Sequence, residues 1–152
     1  MAKTVFITGG ASGIGFGIAE FLGQQGHRIL IVDINEQAAI DACETLSAQN
    51  ISCRPVVLDV TDSVSIAKLT TTLHDETIDI LINNAGIQHV AKIEDFPPEK
   101  WQLLINIMLV APAMLTQAFL PGMRERNFGR IINVGSIHSV VASPYKSAYS
   151  KT

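Results

Sequence analysis

The sequence predicts an α/β fold, a five-stranded doubly wound parallel sheet with helices on both faces. Three observations predict it. Short apolar, β-branched runs alternate strictly with stretches of helical periodicity in the order βαβαβαβαβα, and that alternation is the mark of a parallel sheet. The run Arg28 to Val32 is nearly all apolar, as a strand buried on both faces must be. The glycine, asparagine and aspartate breaks Gly9-Gly10, Asp33, Asp59, Asn83-Asn84 and Gly135-Ser136 all follow strands. They therefore share the carboxyl rim of the sheet, where folds of this class bind ligands.

Each element has its own signal. Lys3 to Thr8 reads as the first strand. Ile14 to Gln25 carries Ile14, Ile18 and Phe21-Leu22 on one helical face, and Gly26 stops it. Arg28 to Val32 is the second strand, ended by Asp33. Glu36 to Gln49 is a helix with Ala39, Cys43 and Leu46 inward and Asn50 as its cap. Ser52 to Leu58 is the third strand, and Thr61 or Asp62 caps a helix reaching about His74. Ile78 to Ile82 is the fourth strand, broken by Asn83-Asn84-Ala85-Gly86. Pro97-Pro98-Glu99 opens a long helix, because proline suits a first turn. Pro121-Gly122 is expected to bend or interrupt its end. Gly129 leads into the fifth strand, Arg130 to Val134, and Ser143-Pro144 opens a last helix. With no internal repeat and no low-complexity linker, residues 1–152 read as a single domain.

Composition narrows the function classes. Of the 152 residues, 47% are apolar and 16% charged, so the chain is globular rather than disordered. A net charge of −3 with no block of like charge argues against a nucleic-acid partner. Only Lys3 precedes the apolar run Val5-Phe6-Ile7, so the N-terminus reads as lacking a signal peptide. Cys43 and Cys53 are too few for a disulfide scaffold and are not a metal pair. They are expected to be reduced thiols in a reducing, cytoplasmic compartment. Leu103 to Met123 lacks charge and is long enough to span a membrane, but Asn106, Pro112, Thr116 and Gln117 interrupt it. It reads as a helix buried against the sheet, with no membrane partner.

The first break carries chemistry. Thr8-Gly9-Gly10-Ala11-Ser12-Gly13-Ile14-Gly15 has the spacing Gly-x-x-x-Gly-x-Gly between a strand and a helix. Glycine permits the tight turn and close backbone approach to a pyrophosphate, and the helix start offers free N–H groups and a positive dipole end. About twenty residues beyond the turn, Asp33 ends the second strand. A carboxylate there can accept both ribose hydroxyls of an adenosine and repels a 2′-phosphate, so NAD is expected over NADP. Asp59 ends the third strand, where it serves either as an acceptor for the adenine amino group or as a helix cap.

Taken together, Thr8-Gly-Gly-Ala-Ser-Gly-Ile-Gly15, Asn83-Asn-Ala-Gly86, Asn106, Ser136 and Tyr149 resemble the short-chain dehydrogenase/reductase family. The resemblance covers about the first three-fifths of a typical member and implies a Rossmann-type sheet. Gly86-Ile-Gln-His-Val90, Ile93-Glu-Asp-Phe-Pro-Pro-Glu-Lys-Trp101 and Val141-Ala-Ser-Pro-Tyr-Lys-Ser-Ala-Tyr149 are similar to members that oxidise D-3-hydroxybutyrate to acetoacetate with NAD. Another short-chain dehydrogenase, such as a 3-oxoacyl reductase, and a non-catalytic nucleotide-binding module are the competing readings.

The resemblance implies the residue roles. Gly9, Ser12, Gly13, Ile14, Gly15, Asp33, Asp59, Val60, Asn84, Ala85, Gly86 and Tyr149 would contact NAD. Tyr149 would be the general base, Ser136 would hold the substrate oxygen, and Asn106 would support the proton relay. Gln88, His138 and Lys146, with Ser136 and Tyr149, would bind the hydroxy or keto acid, Lys146 by charge and the other two by hydrogen bonds. No metal is implied. A phenol's ordinary pKa of about 10 calls for a cation nearby. The family's lysine falls four residues after Tyr149, one position past Thr152. Lys151 is two residues from Tyr149, about 200° round a helix, and is no simple replacement. The chain thus reads as a C-terminally incomplete form, either a fragment or a natural truncation, of doubtful activity. The full-length form is implied to be a homotetramer, which this chain would not assemble normally.

Overall fold

The computed structural model describes residues 1–139, 141, 144–146 and 149. Five strands form one sheet: β1 (Thr4–Thr8), β2 (Arg28–Asp33), β3 (Cys53–Val57), β4 (Ile80–Asn83) and β5 (Arg130–Asn133). Their order is β3-β2-β1-β4-β5, and every pairing is parallel. The sheet is the Rossmann-type architecture expected from the alternation of strands and helices.

Side-chain alternation along the strands divides the core in two. From β1, Val5 and Ile7 point to one face, where they meet Ala19 of α1 (Gly13–Gln24) and Ala39, Cys43 and Leu46 of α2 (Glu36–Ser47). Phe6 points to the other, where it meets Ile66 of α3 (Ser63–Thr72) and Leu115, Phe119 and Met123 of α5 (Ala111–Glu125). The helices start and stop where the caps require. Asn35 accepts the Ala38 N–H at 3.0 Å and Asp62 accepts the Val64 N–H at 3.0 Å, so Asp62 rather than Thr61 caps α3. Asn50, at φ 61°, adopts the left-handed conformation that follows α2.

The expected break in the long helix is displaced. The helix runs from α4 (Pro98–Ile105) through a π-helical segment, Asn106–Val110, into α5, and continues past Pro121 to Glu125. Pro121 lies exposed near the helix end, and the carbonyl that its missing N–H leaves unpaired belongs to Gln117, which is also exposed. The irregularity sits instead at Asn106, whose carbonyl accepts the Ala111 N–H five residues on. The helix Pro98–Glu125 is long and apolar enough to cross a membrane. Its Leu115, Phe119 and Met123 nevertheless pack on Phe6 and Leu81 of the sheet. The helix expected to open at Ser143-Pro144 falls largely outside the described residues.

A second correction concerns the cysteines. Cys43 and Cys53 are joined as a disulfide with Cα atoms 5.3 Å apart, not held as separate thiols. Cys43 faces inward on α2 and Cys53 opens β3 beneath it, a proximity that counting cysteines does not reveal.

At the amino ends of the strands, Glu76 is clamped by Arg28 of β2 (2.6 Å) and Arg54 of β3 (3.1 Å). The Arg28 hydrogen bond, followed by that from Arg54, holds the Glu76 carboxyl below its ordinary range against the opposing effect of burial.

Candidate functional site

The site is built at the carboxyl ends of β1, β2 and β4. Gly9 turns the chain at φ 60°, and a Cβ there would stand 3.0 Å from the Ala85 Cα. In the first turn of α1, a Cβ on Gly15 would collide with the Gly9 carbonyl oxygen and come within 2.6 Å of Asn84 Nδ2. Two glycines therefore let the β1–α1 turn close onto the end of β4. That contact is hydrogen-bonded. The buried Thr8 hydroxyl accepts the N–H groups of Asn84 and Ala85, both at 3.0 Å. Asn84 Nδ2 donates to the carbonyls of Thr8 (3.0 Å) and Gly9 (3.1 Å).

The turn opens onto a cavity of about 410 Å³. Of the sequence-predicted residues, Gly9, Ser12, Gly13, Ile14, Asp33, Asp59, Val60, Asn84, Ala85 and Gly86 line it. Gly15 does not; it packs behind the turn. Ser12 is the N-cap of α1, and its side chain makes no cap hydrogen bond, so the first N–H groups of the helix keep donor capacity for an anion. The Asp33 carboxylate is fixed by two backbone donors, Ala11 N–H at 3.4 Å and Asn35 N–H at 3.1 Å. Asp59 accepts from the backbone and hydroxyl of Thr61, at 2.8 and 2.7 Å, within the turn before α3; it is not the helix cap expected as its alternative, a role taken by Asp62. Val32, Ile34, Leu58, Ile87 and Ile107 complete the walls. Sequence reading missed them because an apolar residue at a strand end looks the same whether it faces a ligand or the core.

A second cavity of about 400 Å³ shares Ile14, Asn84, Ala85, Gly86 and Ile87 with the first, so the two are continuous. Gln88, Ser136 and Tyr149 line it together with Asn83, Met108, Pro112 and Asn133. His138 and Lys146 join this cluster. Ser136 Oγ accepts the His138 N–H at 3.2 Å, the His138 and Tyr149 rings meet edge-on with centroids 6.0 Å apart, and Lys146 Nζ lies 3.1 Å from His138 Nε2. An ammonium group can only donate, so Nε2 accepts in that contact. Tyr149 also packs against the apolar cluster of Phe96, Trp101 and Leu104. The Ala91 N–H donates to the Tyr145 carbonyl at 3.0 Å, tying the loop after β4 to the segment that carries Lys146.

Asn106 is placed differently. Its side chain accepts from Gln102 Nε2 at 2.9 Å and lines neither cavity, whereas its neighbours Ile107 and Met108 face the first and second cavity respectively. Asn83 was also missed. It donates to Asn133 Oδ1 at 2.8 Å, and its own Oδ1 is buried without a hydrogen bond. Among the described residues, no group of three or more His, Cys, Asp or Glu side chains converges to hold a metal.

The arrangement offers an elongated binding space. One end has a helix N-terminus and a fixed carboxylate; the other has a phenol, a serine hydroxyl, an imidazole and an ammonium. Glycine cradles that a Cβ would fill and uncapped helix N–H groups fit a pyrophosphate-containing dinucleotide.

Comparison with known proteins accords with this geometry. The family model described as short chain dehydrogenase matches residues 3–152. A D-beta-hydroxybutyrate dehydrogenase from Cupriavidus necator is 43% identical over 149 residues, covering 97% of this chain and 58% of its own length. Among solved structures, a provisionally assigned NAD(P)-dependent gluconate 5-dehydrogenase from Beutenbergia cavernae, with NADP at low occupancy, superposes with a TM-score of 0.93. It is 27% identical and is matched over 99% of this chain and 61% of its own. A 3-oxoacyl-[acyl-carrier protein] reductase from Brucella melitensis with bound NAD has a TM-score of 0.91 at 27% identity, over 98% of this chain and 59% of its own. The chain thus spans about three-fifths of the length of the relatives it matches. Its sequence, its sheet order and the glycine turn facing Asp33 agree, and the chain belongs to the short chain dehydrogenase family.

Proposed function

We propose that this chain is the cofactor-binding part of an NAD-dependent oxidoreductase that interconverts D-3-hydroxybutyrate and acetoacetate. The observation that carries the substrate reading is the Lys146–His138 contact at 3.1 Å, beside Ser136 and Tyr149. A cation and an imidazole placed next to the two hydroxyls suit a short acid that carries an alcohol or ketone close to its carboxylate. Asp33 supports NAD, because a carboxylate held by Ala11 and Asn35 accepts ribose hydroxyls and repels a 2′-phosphate.

In this reading Gly9, Ser12, Gly13 and Ile14 hold the pyrophosphate, and Asp33 holds the adenosine ribose. Asp59 and Val60 flank the adenine, while Asn84, Ala85 and Gly86 line the passage to the reacting end. The bound nicotinamide supplies the hydride acceptor. Tyr149 Oη takes the alcohol proton, Ser136 Oγ hydrogen-bonds the substrate oxygen, and Asn106 supports the relay through the backbone of the π segment. Lys146, His138 and Gln88 orient the carboxylate. We place the protein in the cytoplasm and the full-length form in a homotetramer.

The test is titration of acetoacetate into protein saturated with NADH. Saturable binding that is lost in Lys146→Met is expected. Acetoacetate binding unaffected by that change would overturn the carboxylate role. A second reading, reduction of a 3-oxoacyl thioester, draws on the NAD-bound Brucella melitensis relative. Binding of such a thioester, with none of acetoacetate, would favour it.

A further inference from the structure

We propose that Tyr145 is a positioning residue for the acid-binding end of the second cavity, acting through its backbone rather than its phenol. The proposal rests on the reading of Lys146 and His138 as partners of a substrate carboxylate.

Backbone conformation carries the argument. Among the described residues, the non-glycine residues with positive φ are Asn50, Asn127 and Tyr145. The two asparagines lie just past α2 and α5, where asparagine commonly takes that conformation. Tyr145, at φ 64°, is a bulky residue in a turn with Pro144. A positive φ after a proline is the pattern of a type II turn, and that position favours glycine or asparagine. A tyrosine there is strained, and such strain persists only where the surroundings over-determine it.

The surroundings that hold Tyr145 act on its main chain. Its side chain is 54% exposed, so packing of the ring does little to fix the turn. Its carbonyl accepts the Ala91 N–H at 3.0 Å. Ala91 is itself anchored, because it packs against the Phe96–Leu104 cluster. The hydrogen bond orients the peptide plane between Tyr145 and Lys146. It thereby sets where the Lys146 side chain starts, and Lys146 Nζ ends 3.1 Å from His138 Nε2.

The loop that supplies Ala91 also supplies Gln88 to the cavity. One backbone clamp thus ties the segment carrying Gln88 to the segment carrying Lys146. A lysine placed in advance by its backbone leaves less ordering for the ligand to bring about. That gain is the physical reason for strain to be stored at Tyr145 rather than relaxed.

The test titrates acetoacetate into NADH-saturated unmodified protein and variants, and measures NADH affinity in each. Tyr145→Gly and Tyr145→Asn accept the left-handed conformation, so each should keep acetoacetate affinity within about twofold. Tyr145→Pro locks φ at about −65° and should weaken it about tenfold. Ala91→Pro deletes the donor and should also weaken it. NADH affinity should stay unchanged throughout, because the glycine turn lies at the other end of the binding space. Equal acetoacetate affinity in Tyr145→Gly and Tyr145→Pro, whether kept or lost, would overturn the backbone role while leaving the substrate reading intact. Full affinity in Ala91→Pro, or a parallel fall in NADH affinity, would overturn it too. No saturable acetoacetate binding in the unmodified protein would instead overturn the substrate reading, and this role with it.

Discussion

The two ends of the binding space are built in different ways. The end proposed to take the adenosine stands on β1 and β2, whose inner residues are fully buried, and it is locked from behind by Thr8, Asn84 and the two glycines. The reacting end stands on β4 and β5. β5 is an outer strand whose residues are all exposed, with Ile132 at 48%, and the residues that matter follow it on short irregular segments. The first end is thus determined by backbone geometry inside a closed core. The second is determined by side chains gathered from loops onto an open edge. Binding of the adenosine half should therefore tolerate change at β5, whereas the glycine turn should tolerate almost none.

The largest effect is expected from Gly15→Val. The new side chain collides with the Gly9 carbonyl and with Asn84, so the turn must open, at a cost of about 3 kcal/mol or more. Thermal protection by NAD should disappear, and retained protection would show that the turn is not the pyrophosphate seat. Thr8→Val comes next. It keeps the shape but removes the acceptor shared by Asn84 and Ala85, and leaving those two partly buried N–H groups unpaired should cost roughly 2 kcal/mol in denaturant unfolding.

Glu76→Gln tests the opposite rim, away from both cavities. Arg28 and Arg54 are about two-fifths and one-third exposed, so solvent screening limits the expected loss to about 1 kcal/mol, with NAD affinity unchanged. The pH dependence follows from the lowered carboxyl. Its contribution is complete above the ordinary glutamate value and is lost as pH falls through the depressed folded value. Unmodified protein should therefore lose stability more steeply in acid than Glu76→Gln; parallel curves would contradict the clamp. The smallest effect is expected from Ile132→Thr on the exposed strand. Stability should stay within about 0.5 kcal/mol and NAD protection should be unaffected, while self-association at high concentration falls. A large drop in NAD protection would erase the contrast between the two ends.

The same contrast explains what the sequence disclosed. The parallel sheet with helices on both faces and the glycine turn were legible because periodicity and glycine placement are direct consequences of backbone geometry, whereas the order β3-β2-β1-β4-β5 depends on crossovers that periodicity does not carry. The place of Asp33 in the cavity wall was legible because it ends an apolar strand at the carboxyl rim about twenty residues beyond the glycine turn. Thr8 was not, since a β-branched residue ending a strand looks ordinary until two N–H groups are seen to point at it. Nor was the π segment, because Leu103 to Met123 is uniformly apolar and Pro121 is the more obvious disruptor. The Cys43–Cys53 bond depends on α2 lying over β3, a tertiary fact that spacing alone does not carry. At the reacting end, the grouping of Gln88, His138 and Lys146 with Ser136 and Tyr149 was expected only through family resemblance, and the Lys146–His138 contact was not foreseen. No periodicity predicts contacts between irregular segments.

The proposed preference for NAD rests on Asp33, and thermal unfolding of the chain with NAD or NADP at equal concentration tests it. NAD at about a hundred times its Kd should stabilise by roughly 2.7 kcal/mol. NADP should protect markedly less, and Asp33→Ser should close the gap. Equal protection by the two cofactors in the unmodified chain would contradict that role of Asp33.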